Sequence, residues 1–143
     1  MSRSLTLFLL LAALAAAPAA SAEPDAGSSA GHVVRVYYFH TTQRCASCKK
    51  IEALSEEVVR EGFAREIGAG ALEWKSLNLD DAENRHFVED YQLYTKSLVV
   101  VDLRGGKQAR WKNLPRIWEL LRDDVAFRQY VKREIHEYLE GAP

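Results

Sequence analysis

The chain has 143 residues, with 19 Lys and Arg against 20 Asp and Glu and a formal net charge of −1. The two signs are interspersed along it, which excludes the basic stripe of a nucleic-acid-binding domain. The length suits a single domain, and past the first 22 residues no stretch is apolar enough to span a membrane.

Residues 1–22 read as a secretory signal. Arg3 and the amino terminus give a positive start, an apolar run follows from Leu5 to Ala17, and Ala20-Ser21-Ala22 has the small-x-small pattern of a signal peptidase site. The run is shorter than the roughly 20 residues of a bilayer-spanning helix, and no cysteine stands near the cleavage site to carry a lipid. The expectation is export across the inner membrane to a periplasm-type compartment, with a mature chain that does not span the membrane. An uncleaved amino-terminal anchor is the alternative. Residues 23–31, EPDAGSSAG, are small and polar and suit a flexible lead-in. One domain is expected over 32–141, with no repeat or low-complexity tract.

That domain opens with HVVRVYYF (32–39), a near-continuous apolar run expected to be a strand buried on both faces. A polar turn, HTTQR, follows. From Cys45 the period changes: Cys48, Ile51, Leu54, Val58 and Phe63 fall on one stripe, predicting a helix from about Cys45 to Glu66 that ends near Gly68 and Gly70. ALEWKSLNLD (71–80) reads as a second strand. Ala82 to Gln92 reads as a shorter helix carrying Phe87, Val88 and Tyr91, and SLVVVDL (97–103) as a third strand. Gly105-Gly106 is a two-residue hairpin signal, from which KQARWKNL (107–114) returns antiparallel. Pro115 suits the first turn of a helix, PRIWELLR. Past Asp123-Asp124 a second amphipathic stretch carries Phe127, Val131, Ile135 and Tyr138. The order β-α-β-α-β-β-α predicts an α/β fold with a mixed four-stranded sheet and helices on both faces.

The two cysteines, Cys45 and Cys48, lie in RCASCK where the first strand hands over to the first helix. Such a pair can exchange disulfides, hold a metal, or stay oxidised as an inert staple. Export favours a structural disulfide, yet a loop this small is the least stabilising kind, so chemistry is the better reason for it. Exchange needs a thiolate. A helix amino terminus offers unpaired N–H groups and a partial positive charge to an anion at Cys45. Arg44 and Lys49 would add to this if their side chains turn inward, and Cys48 sits one turn deeper.

His40 reads as a proton carrier, as a third metal ligand, or simply as the strand's exit. A structural zinc site wants four ligands. Cys45, Cys48 and His40 make three, and His86 would have to supply the fourth. Two thiolates and a histidine also suit Cu(I), so a metal-binding or metallochaperone module is the first rival. Lys96 would stabilise a thiolate and favour an anionic substrate if it faces the pair, and otherwise points to solvent. Trp74, Trp111 and Trp118 read as core packing, and His32 and His136 as surface residues. No organic cofactor is expected, because the cysteines themselves would carry the electrons.

From about Val33 to Leu139 the chain resembles the thioredoxin-like superfamily, through VYYFHTTQRCASC, LEWKSLNLDD and SLVVVD with its Gly-Gly hairpin. More narrowly, HTTQRCASCKKIE, YTKSLVVVD and WKNLPRIWELL resemble exported bacterial proteins of the nitrophenyl compound nitroreductase subunit (ArsF-type) family. Neither a flavin nor a nicotinamide fingerprint accompanies that likeness. The superfamily resemblance implies that Cys45 is the attacking thiol and Cys48 the resolving thiol. Three positions depart from the superfamily pattern. The buried acid usual six residues before the first cysteine is Phe39. The aromatic residue often found just before that cysteine is Arg44. The cis-proline that opens the third strand is replaced by Lys96 or Ser97, which puts the usual peptide-binding loop in question. The expectation is an exported thiol–disulfide oxidoreductase cycling Cys45 and Cys48 on a partner protein or small disulfide, with a membrane electron donor if it works as a reductase. A redox-silent binding subunit that keeps the fold as scaffold is the second rival.

Overall fold

In the computed structural model, which describes residues 31–141, the first apolar run becomes the centre of the sheet. Strand β1 (His32–His40) buries Val34, Val36, Tyr37, Tyr38 and Phe39, and so needs cover on both faces. It lies between β2 (Leu72–Asn78), to which it is parallel, and β3 (Ser97–Arg104), to which it is antiparallel. β3 turns back into β4 (Lys107–Asn113), giving the order β2-β1-β3-β4. The Gly105-Gly106 turn has φ of +58° and +75°, the left-handed pair that matches the twist of a tight hairpin. This is the expected thioredoxin-like α/β arrangement, with a mixed four-stranded sheet and helices on both faces. The leader expected over 1–22 lies outside the described residues.

Alternation along β1 sorts its side chains. Val34, Val36 and Tyr38, with Leu98 and Val100 of β3, meet Ile51, Leu54, Val58 and Val59 of α1 (Ala46–Gly62) and Phe127, Val131 and Ile135 of α4 (Asp124–Leu139). Tyr37 and Phe39, with Val99 and Val101, face the other way, toward Tyr91, Leu93 and Phe87. No helix among the described residues is long and apolar enough to cross a membrane.

Three elements and one side chain differ from expectation. The helix expected to reach Glu66 stops at Gly62. Phe63 leaves helical geometry (φ −136°, ψ 33°) to put its ring in the core, and a short α2 (Ala64–Gly68) follows. The helix expected over 82–92 is a 3-10 turn (Ala82–Asn84) and a single turn, α3 (Phe87–Asp90), because only Phe87 and Tyr91 find apolar partners on that face. PRIWELLR forms two 3-10 turns, Pro115–Ile117 and Glu119–Arg122. Asp123 then caps α4, accepting the Ala126 N–H at 2.9 Å. Finally, His32 is not a free surface residue. Its Nε2 lies 3.0 Å from Oδ1 of Asp102, a carboxylate buried at the end of β3 against Arg104 and Arg110. The tryptophans pack at the margins of the two cores, Trp111 edge-on to Tyr91 at 5.2 Å.

Candidate redox site

The segment between β1 and α1 is fastened to the exit of β2. Leu79 N–H donates to the His40 carbonyl at 2.7 Å, Thr42 N–H to Asp80 Oδ2 at 2.8 Å, and Asn78 Nδ2 to Thr42 Oγ1 at 3.0 Å. The Thr42 amide, then its hydroxyl, then Arg85 and Lys96 hold the Asp80 carboxyl below its usual range. The loop therefore delivers Cys45 to a defined place.

Cys45 is the N-cap of α1, in extended geometry (φ −82°, ψ 165°). The Cys48 N–H donates to its Sγ at 3.1 Å, and the Lys49 N–H to its carbonyl at 3.0 Å. Sulfur here takes the place that a Ser or Asp oxygen fills in an ordinary cap. The first turn has no acidic side chain to oppose a negative charge on it. Cys45 is exposed and Cys48 is 2% exposed, and the two form a disulfide with Cα atoms 5.1 Å apart.

A group that sequence reasoning missed lies beneath them. Tyr38, fully buried, donates its hydroxyl to the Cys48 carbonyl at 2.7 Å. Burial pushes its phenol up to about 12, against the pull of Arg44, so it remains a donor across the neutral range. Counting six residues back from Cys45 selects Phe39, whose ring belongs to the opposite face of the sheet. The period-two alternation of β1 was the signal that could have selected Tyr38 instead.

The basic side chains are placed variously. Arg44 Nη2 pairs with Glu52 Oε2 on α1, and Glu52 Oε1 accepts from Ser76 on β2, so this guanidinium ties the loop to the helix. Lys49 is exposed, while its neighbour Lys50 bonds the Leu121 carbonyl and Asp124. Lys96 stands at the entry to β3, where the register Phe39↔Ser97 brings it level with the end of β1. With His40, Asp80, Leu93 and Tyr94 it lines a cleft of about 310 Å³. His40 Nδ1 lies 3.1 Å from the Thr41 carbonyl. Among the described residues no three His, Cys, Asp or Glu side chains gather to hold a metal ion. The set Cys45, Cys48 and His40 is therefore not assembled, and His86 pairs with Asp90 instead of approaching it.

No family model and no curated protein matches this chain. Solved thioredoxins are similar to it. That of Trypanosoma brucei brucei is 20% identical over 73% of this chain and 76% of its own, with a TM-score of 0.41. Oxidised thioredoxin O2 of Arabidopsis thaliana is 12% identical over 62% and 69%, also at 0.41, and Fasciola hepatica thioredoxin is 18% identical over 71% and 80%, at 0.39. The chemistry open to the site follows from this chain's own geometry: a CxxC disulfide at the amino terminus of the first helix, beside the exit of the central strand, is competent for thiol–disulfide exchange in general.

Proposed function

We propose that this chain is an exported thiol–disulfide exchange protein that cycles Cys45 and Cys48 between dithiol and disulfide on a partner protein or small disulfide. The observation that carries this reading is the asymmetry of the pair. Cys45 is exposed at a helix cap with an N–H on its sulfur, and Cys48 is buried one turn behind. A thiolate at Cys45 attacks one sulfur of a partner disulfide and expels the other as a thiolate. Cys48, having lost its proton to solvent, then attacks Cys45 Sγ and releases the partner's second thiol. The partner gains two electrons and two protons, and the Cys45–Cys48 bond forms. The same steps in reverse donate a disulfide. Reductase work in an oxidising compartment calls for a membrane electron donor to reduce the pair again. Lys96 and His40, lining the cleft at the exit of β1, are the supporting residues for an incoming substrate, and Arg44 and Lys49 stand near the pair in the sequence. The narrower likeness to the nitrophenyl compound nitroreductase subunit family belongs to this reading, in which the site residues favour thiol exchange over nitro reduction.

The test is a Cys48→Ser variant expressed with its leader and quenched in acid. Mass spectrometry is expected to find a defined partner disulfide-linked to Cys45. A variant that carries no adduct under oxidising and reducing growth alike defeats the proposal.

A further inference from the structure

One buried group beside the pair has no part in the exchange steps above: the Tyr38 hydroxyl. It lies on a face otherwise built of Val36, Ile51, Leu54, Leu98 and Val100, where a polar atom costs free energy unless it is bonded. Phenylalanine would fill the same space. The Cys48 carbonyl, being inside a helix, is already served by the N–H four residues on. The bond from Tyr38 is therefore a second one, demanded neither by packing nor by backbone satisfaction. It is made to the one residue whose N–H also rests on Cys45 Sγ. The main chain of Cys48 is thus held from both sides, one hold coming from the central strand of the sheet.

We propose that Tyr38 is the positioning residue of the resolving cysteine, holding Cys48 at ring-closing distance once the disulfide has opened. This rests on the exchange reading of the pair. In the disulfide a covalent bond fixes both sulfurs, whereas in the dithiol only non-covalent contacts hold Cys48. The Tyr38 bond therefore restricts the dithiol more than the disulfide and lowers the entropy cost of closing the ring. In closure the Cys48 thiolate bonds to Cys45 Sγ, the Cys45–partner bond breaks, and the partner leaves as a thiolate that takes a proton from water. Removing the hydroxyl shifts the balance toward the dithiol.

The experiment compares Tyr38→Phe with Tyr91→Phe, which deletes a second buried hydroxyl, the one donating to Gln108 at 2.7 Å on the opposite face. Each purified protein is equilibrated with reduced and oxidised glutathione. Closure of the mixed disulfide between Cys45 and glutathione is timed separately. From the free energy of one hydrogen bond, Tyr38→Phe is expected to lower the equilibrium constant for oxidation about three- to tenfold and to slow closure similarly. Tyr91→Phe is expected to change neither. A Tyr38→Phe protein that loses equal stability in both redox states, with an unchanged glutathione equilibrium, overturns the proposal, and so does an equal shift in Tyr91→Phe. A measurement on the unmutated protein serves if the variant does not fold. The Lys49 and Glu52 amides are expected to keep their exchange protection on reduction, and their loss overturns the proposal. Glutathione equilibration does not depend on a cellular partner, so failure to trap one defeats the proposed function and leaves these readouts standing.

Discussion

The two faces of the sheet are built differently. One carries α1 and α4 over an aliphatic core, and the cysteines sit on the helix that covers it, Cys45 as its N-cap and Cys48 in its first turn. The other is covered by a single helical turn and relies on aromatic rings: Tyr37 stacks on Phe39 at 5.1 Å, and Phe87 on Tyr91 at 5.7 Å. Large rings bury much area with few residues, so a thin layer suffices where no reactive group has to be held. The face with long helices supplies what the redox pair needs, a helix terminus aimed at a sulfur and a strand hydroxyl behind it. Stability is thus shared between the faces, while positioning of the pair belongs to one.

Truncation on each face breaks or upholds that division. Phe39→Ala, on the aromatic face, is expected to cost about 3–5 kcal/mol in urea unfolding and to leave the glutathione equilibrium unchanged. Ile51→Ala, one helical turn past Cys48, is expected to cost about 2–5 kcal/mol and to move that equilibrium, because it loosens α1 beneath the pair. Equal redox effects from the two would show that positioning is not confined to one face. Alkali tests both faces together. Burial raises Tyr38, Tyr91 and Tyr130 to about 12, against an ordinary value near 10. The folded state favours the protonated phenols. Their contribution is therefore complete below about pH 10 and is lost as pH rises through about 12. Urea midpoints are expected to fall across that window, and less steeply in Tyr91→Phe.

Much of this division was legible in the sequence. The run VVRVYYF fixes a central strand because few other structures bury so many consecutive apolar side chains, and Cys45 at the change of period marks the helix start. Which face each tyrosine or phenylalanine of β1 takes was harder, since counting back from Cys45 ignores how many residues the loop 41–44 uses. Burial of Asp102 was hidden as well. Asp102 follows the apolar run of β3 and reads as its polar exit, and only the fold brings His32, Arg104 and Arg110 around that carboxylate. The break at Phe63 was missed because the helical stripe counts the ring as one more core position, although reaching the core there takes a turn out of the helix.

Smaller effects belong to the polar contacts that hold the loop. Arg44→Gln removes the pair with Glu52, whose side chains are about three-quarters buried. It is expected to cost about 1.5–3 kcal/mol, the scale of a hydrogen bond to a charged group, and thermal unfolding reads it. The bond from Thr42 to Asp80 is weaker still in global terms, because the carboxylate is fully exposed, but it has its own pH signature. The Asp80 carboxyl is depressed in the folded chain, so its contribution is complete above the ordinary carboxylate value of about 3.9. It is lost only as pH falls through the lower folded value. The Thr42 amide resonance is expected to hold steady from neutral pH down to about 4 and then to move upfield as the acceptor protonates. In Asp80→Asn that titration disappears, while the urea midpoint at neutral pH changes little. A Thr42 amide that ignores acid altogether would mean that the loop is not fastened through Asp80 in solution. The comparison would then sharpen: Cys45 would owe its place to the buried face alone, through α1 and Tyr38.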